Sequence, residues 1–116
     1  MAVQYSFNTY ALRLYSSRPT QAVSPNQLIA LIYCYDNTGP NLLYRGSIWF
    51  FSDCTPLRPA IHDPDNNRIH LQFHISQFAA TIEALRTEEP FWLYYDTGTN
   101  AYLRSGLEPT GEEETP

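Results

Sequence analysis

Hydrophobic and polar residues alternate with a period of two along most of this chain, and that period is the signature of β-strands. Residues 4–15 alternate in this way, but the apolar parity changes between Asn8 and Thr9. One extra residue would reconcile the two halves, so we predict a β-bulge there. Residues 28–35 and 42–53 are apolar on both parities, which is typical of strands that are buried on both faces.

A strand and a helix are predicted next along the chain. Residues 68–75 alternate cleanly, with four apolar residues on one side of the predicted strand: Ile69, Leu71, Phe73 and Ile75. Ser76 is a suitable N-cap for the helix that follows, and Pro90 ends it. The helix has a single apolar stripe, formed by Phe78, Ala79, Ile82 and Leu85.

The remaining segments are predicted to be loops and a last hairpin. Residues 16–26 and 54–67 are rich in proline and polar side chains, so we expect loops there. Residues 91–95 and 101–105 are apolar runs around a turn at 96–100, which predicts a β-hairpin.

The element order β-β-β-β-α-β-β indicates an α+β fold that is mostly β. We expect a curved or partly closed antiparallel sheet of about six strands with one helix. Residues 1–107 form a single β-rich domain in this interpretation, and residues 108–116 form a disordered acidic tail. One helix covers only one patch of sheet, so the remaining apolar strand faces predict either a closed barrel or association with another subunit.

Charge, hydrophobic runs and cysteine content indicate the cellular location of the protein. The chain has seven basic and twelve acidic side chains, a net charge of −5, and four of the acidic residues lie in the tail. No run of 18 apolar residues predicts a membrane span, and residues 1–15 lack the pattern of a secretory signal. The two cysteines, Cys34 and Cys54, are too few for a disulfide framework, so we expect a cytoplasmic protein.

The triplet Asp96-Thr97-Gly98, preceded by the apolar residues 93–95, resembles the catalytic triplet of pepsin-like and retroviral aspartic proteases. In that family a flap hairpin and a second catalytic loop follow the triplet. Only 18 residues follow Gly98 here. We therefore interpret the triplet as part of a hairpin turn that is rich in Asp, Gly and Asn.

Metal, cofactor and catalytic sites are not expected from the remaining residues. His70 and His74 would chelate a metal from one helix face, but on a strand they are about 13 Å apart. If this strand face is exposed to solvent, we expect both histidines to have the usual pKa of about 6.5. If the face lies in a subunit interface, we expect their pKa to be lower. The five glycines are isolated and no serine lies in a nucleophile elbow, so we expect no enzyme and no cofactor.

A binding surface is the remaining functional prediction. Flat aromatic rings and guanidinium groups on strands form a platform for binding if their faces coincide. The candidate residues are Arg45, Trp49, Phe51, Trp92, Tyr94 and Arg104.

Three functional hypotheses follow. The first is a non-enzymatic domain that binds another protein, most simply a second copy of itself as a homodimer. The second is a single-stranded nucleic-acid-binding protein, and four strands followed by a helix is similar to the element order of the single-strand-binding coactivators and the plant Whirly proteins. The third is a closed β-barrel that holds a small ligand against four tyrosines: Tyr10, Tyr33, Tyr35 and Tyr44.

Overall fold

The computed structural model describes residues 2–15, 28–87 and 90–105. These ranges contain eight strands and one α-helix, which confirms the mostly β fold of the α+β class. The helix α1 spans Phe78–Thr87 and follows a 3-10 turn at Ile75–Gln77. The strands are β1 Val3–Phe7, β2 Thr9–Leu14, β3 Leu28–Asp36, β4 Leu43–Phe51, β5 Ile61–Asp63, β6 Arg68–His74, β7 Phe91–Thr97 and β8 Asn100–Ser105.

The strands form two sheets instead of one curved sheet, and they do not close into a barrel. One sheet has three strands in the order β1-β7-β8, and the other has five in the order β2-β3-β4-β6-β5. All pairs are antiparallel except β4 and β6, which are parallel. The segment between β4 and β6 runs back along the sheet, and its last part, β5, forms a hairpin with β6. Alternation along a strand carries no information about its direction, so the sequence could not show this parallel pair.

The parity change near Asn8 coincides with a change of sheet. β1 pairs with β7 in the three-stranded sheet, whereas β2 pairs with β3 in the five-stranded sheet. Asn8 is the single residue between them, and its N–H donates to the carbonyl of Tyr35 at 3.0 Å. The strand therefore changes sheets at Asn8, and its inward side changes with it.

The hydrophobic core lies between the two sheets. Every long strand of the five-stranded sheet and two strands of the other contribute to it. The most deeply buried side chains are Ala30, Ile32, Cys34, Ile48, Phe50, Ile69, Leu71 and Leu93. The three-stranded sheet thus supplies the cover that one helix could not, and the surplus of apolar faces requires neither a barrel nor a second subunit.

The predicted helix is confirmed, with two differences at its start. Three of its four predicted stripe residues pack against the core, namely Phe78, Ile82 and Leu85, whereas Ala79 is exposed. Ser76 lies within the 3-10 turn instead of capping a helix by its hydroxyl. Its backbone N–H donates to the carboxylate of Asp53 at 3.1 Å, so a side chain from the loop after β4 satisfies this donor.

Some predicted segments lie outside the described residues, namely the loop at 16–26 and the acidic tail at 108–116. The loop predicted at 54–67 contains the short strand β5, which three residues could not signal by alternation. No helix in the described part of the chain is long and apolar enough to cross a membrane.

Candidate binding surfaces

The outer surface of the five-stranded sheet carries a continuous set of aromatic side chains. They alternate with core residues along β3, β4 and β6, and the three-stranded sheet and α1 both pack on the opposite, core side. We call this surface the Trp49 face and define it by Tyr33, Tyr35, Tyr44, Trp49, Phe51 and His70.

Two arginines lie on tyrosine rings of the Trp49 face. The guanidinium carbon of Arg68 is 4.5 Å from the ring centroid of Tyr44, and that of Arg13 is 5.2 Å from Tyr33. The ring of Tyr44 also lies 5.9 Å from that of Tyr33 and 5.7 Å from that of Tyr35. These are favourable cation–π and aromatic contacts, and they fix the positive groups in place over the sheet.

A buried serine holds the centre of the Trp49 face. Ser47 is only 1% exposed, and its Oγ accepts a hydrogen bond from Trp49 Nε1 at 2.6 Å. The same Oγ lies 2.7 Å from His70 Nδ1, so its hydroxyl proton can be donated to a neutral imidazole. Trp49 also stacks on Phe51, with ring centroids 6.3 Å apart and planes inclined at 23°. The tryptophan is therefore fixed by both a polar and an aromatic partner.

Burial lowers the pKa of His70 below its usual value, and the positive charge of Arg68 lowers it further, while the carboxylate of Asp63 opposes both. This strand face was expected to show a lowered histidine pKa only if a second subunit covered it. Burial within the chain itself is sufficient here. The lowered pKa of His70 is therefore no sign of a subunit seam.

Two pockets open beside Trp49. One has a volume of about 170 Å³ and an almost entirely apolar lining, formed by Trp49, Ile61, His70 and Gln72. The other measures about 290 Å³ and is lined by Trp49, Phe51, Thr55, Pro56, Arg58 and Gln72. The indole thus separates two hollows on the outer face of the sheet.

The outer surface of the three-stranded sheet is built differently. We call it the Trp92 face and define it by Gln4, Trp92, Tyr94, Tyr102 and Arg104. Arg104 lies over the indole of Trp92, 4.9 Å from the ring centroid, and donates to Gln4 Oε1 at 2.9 Å. Tyr94 and Tyr102 stack with centroids 4.4 Å apart.

The six residues predicted to form one platform are divided between these surfaces. Trp49 and Phe51 lie on the Trp49 face, whereas Trp92, Tyr94 and Arg104 lie on the Trp92 face, and the core separates the two sheets. The platform required these faces to coincide, and they do not.

Arg45, the sixth candidate, does not continue the alternation of Trp49 and Phe51, because β4 has a bulge at this position. Cys34 pairs with Gly46 and Tyr35 pairs with Tyr44, so Arg45 is the extra residue. Its guanidinium lies 4.0 Å from the carboxylate of Asp36. The bulge brings Tyr44 onto the Trp49 face, where sequence alternation did not place it. The isolated glycine at 46 was the available signal, because such a glycine inside a strand pattern marks a bulge or a close approach.

A third surface is the free edge of β2. On the core side of this strand, Leu12 is 45% exposed and Leu14 is 63% exposed, although their partners in β3 are fully buried. The N–H of Tyr15 donates to the carbonyl of Ile29 at 3.0 Å. Because hydrogen-bonded pairs alternate along an antiparallel ladder, the N–H and C=O groups of Tyr10, Leu12 and Leu14 are directed away from β3. No described strand pairs with this edge.

The residues considered for catalysis and metal binding form hydrogen bonds within the fold. Asp96 precedes the β7–β8 turn, and the Asn100 side chain donates to it at 3.4 Å, as the hairpin interpretation predicts. His70 and His74 lie on strand β6, and His74 Nε2 is 2.8 Å from the carbonyl of Thr55. Within the described ranges no three His, Cys, Asp or Glu side chains cluster as metal ligands would.

The tyrosines proposed to line a ligand cavity do not share one. Three of them, Tyr33, Tyr35 and Tyr44, lie on the outer Trp49 face, whereas Tyr10 packs on the core side of β2. Since the sheets do not close into a barrel, the interior that this hypothesis requires is not formed.

No family model matches this chain, and the comparisons with curated proteins and with solved structures found no match.

Proposed function

We propose that this protein is a non-enzymatic domain that associates with a second copy of itself through the free edge of β2. The observation that carries the proposal is the exposure of Leu12 and Leu14 beside backbone groups that pair with no described strand. An unpaired strand edge with apolar side chains is a template for another strand. Pairing there would satisfy the backbone and bury both leucines at once.

The backbone fixes which registers a symmetric pair can use. Residues 10, 12 and 14 must form the hydrogen-bonded pairs, because their N–H and C=O groups point outward. A two-fold axis at Leu12 places Tyr10 opposite Leu14 of the second copy and Arg13 opposite Ala11. An axis at Arg13 would place two guanidinium groups opposite each other, which is unfavourable. An axis at Ala11 would leave Leu14 opposite the polar Asn8. We therefore propose the register centred on Leu12.

This pairing would join two five-stranded sheets into one sheet of ten strands. Directly opposed residues of an antiparallel pair lie on the same side of the sheet. The Trp49 faces of both copies would then lie on one side of the assembly. The non-enzymatic role is supported by the burial of Ser47, which is 1% exposed and therefore closed to a substrate. Free Cys34 and exposed, free Cys54 support a reducing, cytoplasmic setting.

A charge-swap experiment tests the interface. Leu12→Glu places two carboxylates beside the two-fold axis and removes two buried leucines, which costs about 3 kcal/mol of association and weakens the dimer about 100-fold. Leu12→Arg should act in the same way. An equimolar mixture of the two variants should restore the dimer in sedimentation velocity, because opposite charges then meet. Leu43→Glu is the matched control, since Leu43 is 42% exposed on another strand.

Cross-linking tests the register. In a Cys54→Ser background, Leu12→Cys should form an intermolecular disulfide, because the Cα atoms of a hydrogen-bonded pair are about 5.5 Å apart. Leu14→Cys should not, because the two copies of residue 14 would lie about 13 Å apart. A wild-type monomer at micromolar concentration, or a dimer that survives Leu12→Glu, would show that β2 is not the interface.

A further inference from the structure

Positive charge is concentrated on the Trp49 face of an acidic protein. Arg13 and Arg68 lie over its tyrosine rings, and Arg58 lines the pocket beside Trp49. The only described carboxylate opposite these arginines in the strand pairing is Asp63, which faces Arg68 across the β5–β6 pair. Three of the seven arginines of this acidic chain therefore lie on or beside the Trp49 face. Positive groups gathered in this way attract an anion.

The same face presents flat aromatic surfaces. Trp49 and Phe51 stack beside the pocket of about 290 Å³ that Arg58 also lines. The hydrogen bond to Ser47 keeps the indole in one orientation. Bases of single-stranded nucleic acids stack on rings of this kind, while arginines contact the phosphates between them.

We propose that the Trp49 face binds single-stranded nucleic acid. Bases stack against Trp49 and Phe51, and phosphates are bound by Arg13, Arg58 and Arg68. The occupant is single-stranded because its bases must be free to reach the rings, whereas the bases of a duplex stack on one another. Arg13 also belongs to β2, but Trp49, Phe51, Arg58 and Arg68 lie outside that strand, so quenching of Trp49 tests this proposal without requiring the dimer.

The two tryptophans provide a matched pair of reporters. Trp92→Phe leaves Trp49 as the only fluorescent indole, and Trp49→Phe leaves Trp92. Titration of the full-length Trp92→Phe variant with an oligothymidine of about 12 nucleotides should quench its fluorescence at low salt. The Trp49→Phe variant should show no quenching. Equal quenching in both variants, or none in either, would overturn the proposal.

Salt dependence and a competing polyanion separate nucleic acid from other anions. The double variant Arg13→Gln, Arg68→Gln should weaken binding at least tenfold and reduce the salt slope by about 1.4, since each phosphate contact on a single strand contributes about 0.7. Arg104→Gln on the Trp92 face should change neither value. If polyglutamate of the same charge binds as tightly as the oligonucleotide, the face is a general anion or acidic-protein surface and the nucleic-acid assignment is wrong. Repeating the titration with Leu12→Glu tells whether binding depends on the dimer.

Discussion

The Trp49 face and the Trp92 face each place a tryptophan on the outside of a sheet, but they hold it by different means. The nitrogen of Trp49 donates to a serine that is 1% exposed, whereas Trp92 lies beneath an arginine whose hydrogen bond to Gln4 is exposed. Water can replace the hydrogen-bond partner of Arg104 above Trp92, but it cannot reach the serine that holds Trp49. A tryptophan in the pattern of a strand therefore does not show whether its surface is rigid.

Sheet width explains the contrast. β4 lies inside a five-stranded sheet, where rings from β3 and β6 surround Ser47 and exclude water from it. β7 is the middle of only three strands, so both of its neighbours, β1 and β8, are edge strands, whereas the neighbours of β4 are themselves flanked by β2 and β5. The wider sheet can bury a polar network on its outer face, and we expect mutations there to cost more.

The largest expected effect is at Gly46, where both sheets meet. Its φ is +147°, and a Cβ there would overlap the carbonyl of Ile69 and lie 2.8 Å from the side chain of Leu93 on β7. Gly46→Ala should lower the free energy of unfolding by about 3 kcal/mol or more, measured by urea denaturation. Gly39→Ala is the control, since no atom lies within 4 Å of the added Cβ. Equal stabilities of the two variants would contradict this explanation.

The second prediction compares a serine from each face. Ser47→Ala removes the partner shared by Trp49 and His70 and should cost about 1–3 kcal/mol. Ser6→Ala, at the exposed position opposite Trp92, should stay within about 0.5 kcal/mol. Urea denaturation of both variants measures the difference. Similar costs would mean that the network beneath Trp49 is not what distinguishes the faces.

The two arginine–ring contacts should differ less. Arg68 covers the half-buried Tyr44, so Arg68→Gln should cost about 1 kcal/mol of stability. Arg104→Gln should cost about 0.5 kcal/mol, because its contact with Trp92 is at the surface. Thermal unfolding at low and high salt measures the stability loss of each variant. A larger loss for Arg104→Gln than for Arg68→Gln would show that the contact of Arg68 is not the more buried one.

The smallest expected effect is a pH dependence at His70. Its pKa is lowered in the folded protein, so the unfolded chain takes up the proton first as pH falls. This residue therefore contributes stability above about pH 6.5 that is lost as pH falls through its folded pKa. His70→Gln, which retains a polar partner for Ser47, should flatten the curve of unfolding free energy against pH below about 6.5. An unchanged curve would show that His70 does not titrate as described.

The sequence patterns predicted the features that depend on residues close together in the chain. Strands β3, β4, β6, β7 and β8 and the helix were predicted because each has a long, regular apolar pattern. Trp49 shares a face with Phe51, and Trp92 with Arg104, because two-residue alternation and one hairpin determine these neighbours.

The missing information concerns which strands pair over long distances. Alternation could not show that β6 runs parallel to β4, or that the two tryptophans belong to different sheets. The bulge at Arg45 shifted the parity of β4, so Tyr44 was not placed on the Trp49 face. Nor could the sequence show the exposed edge of β2, since exposure of Leu12 depends on where the second sheet ends.

The crossing at Asn8 sets an order of folding. Strands β2 to β6 contain all that the five-stranded sheet requires, and they end at His74. Val3, by contrast, pairs with Tyr95, which lies 92 positions later in the chain. Closing so long a loop is slow, so we expect the three-stranded sheet to assemble last. During synthesis the first strand would wait unpaired until the seventh emerges, and its apolar side would be the surface most in need of protection in the nascent chain.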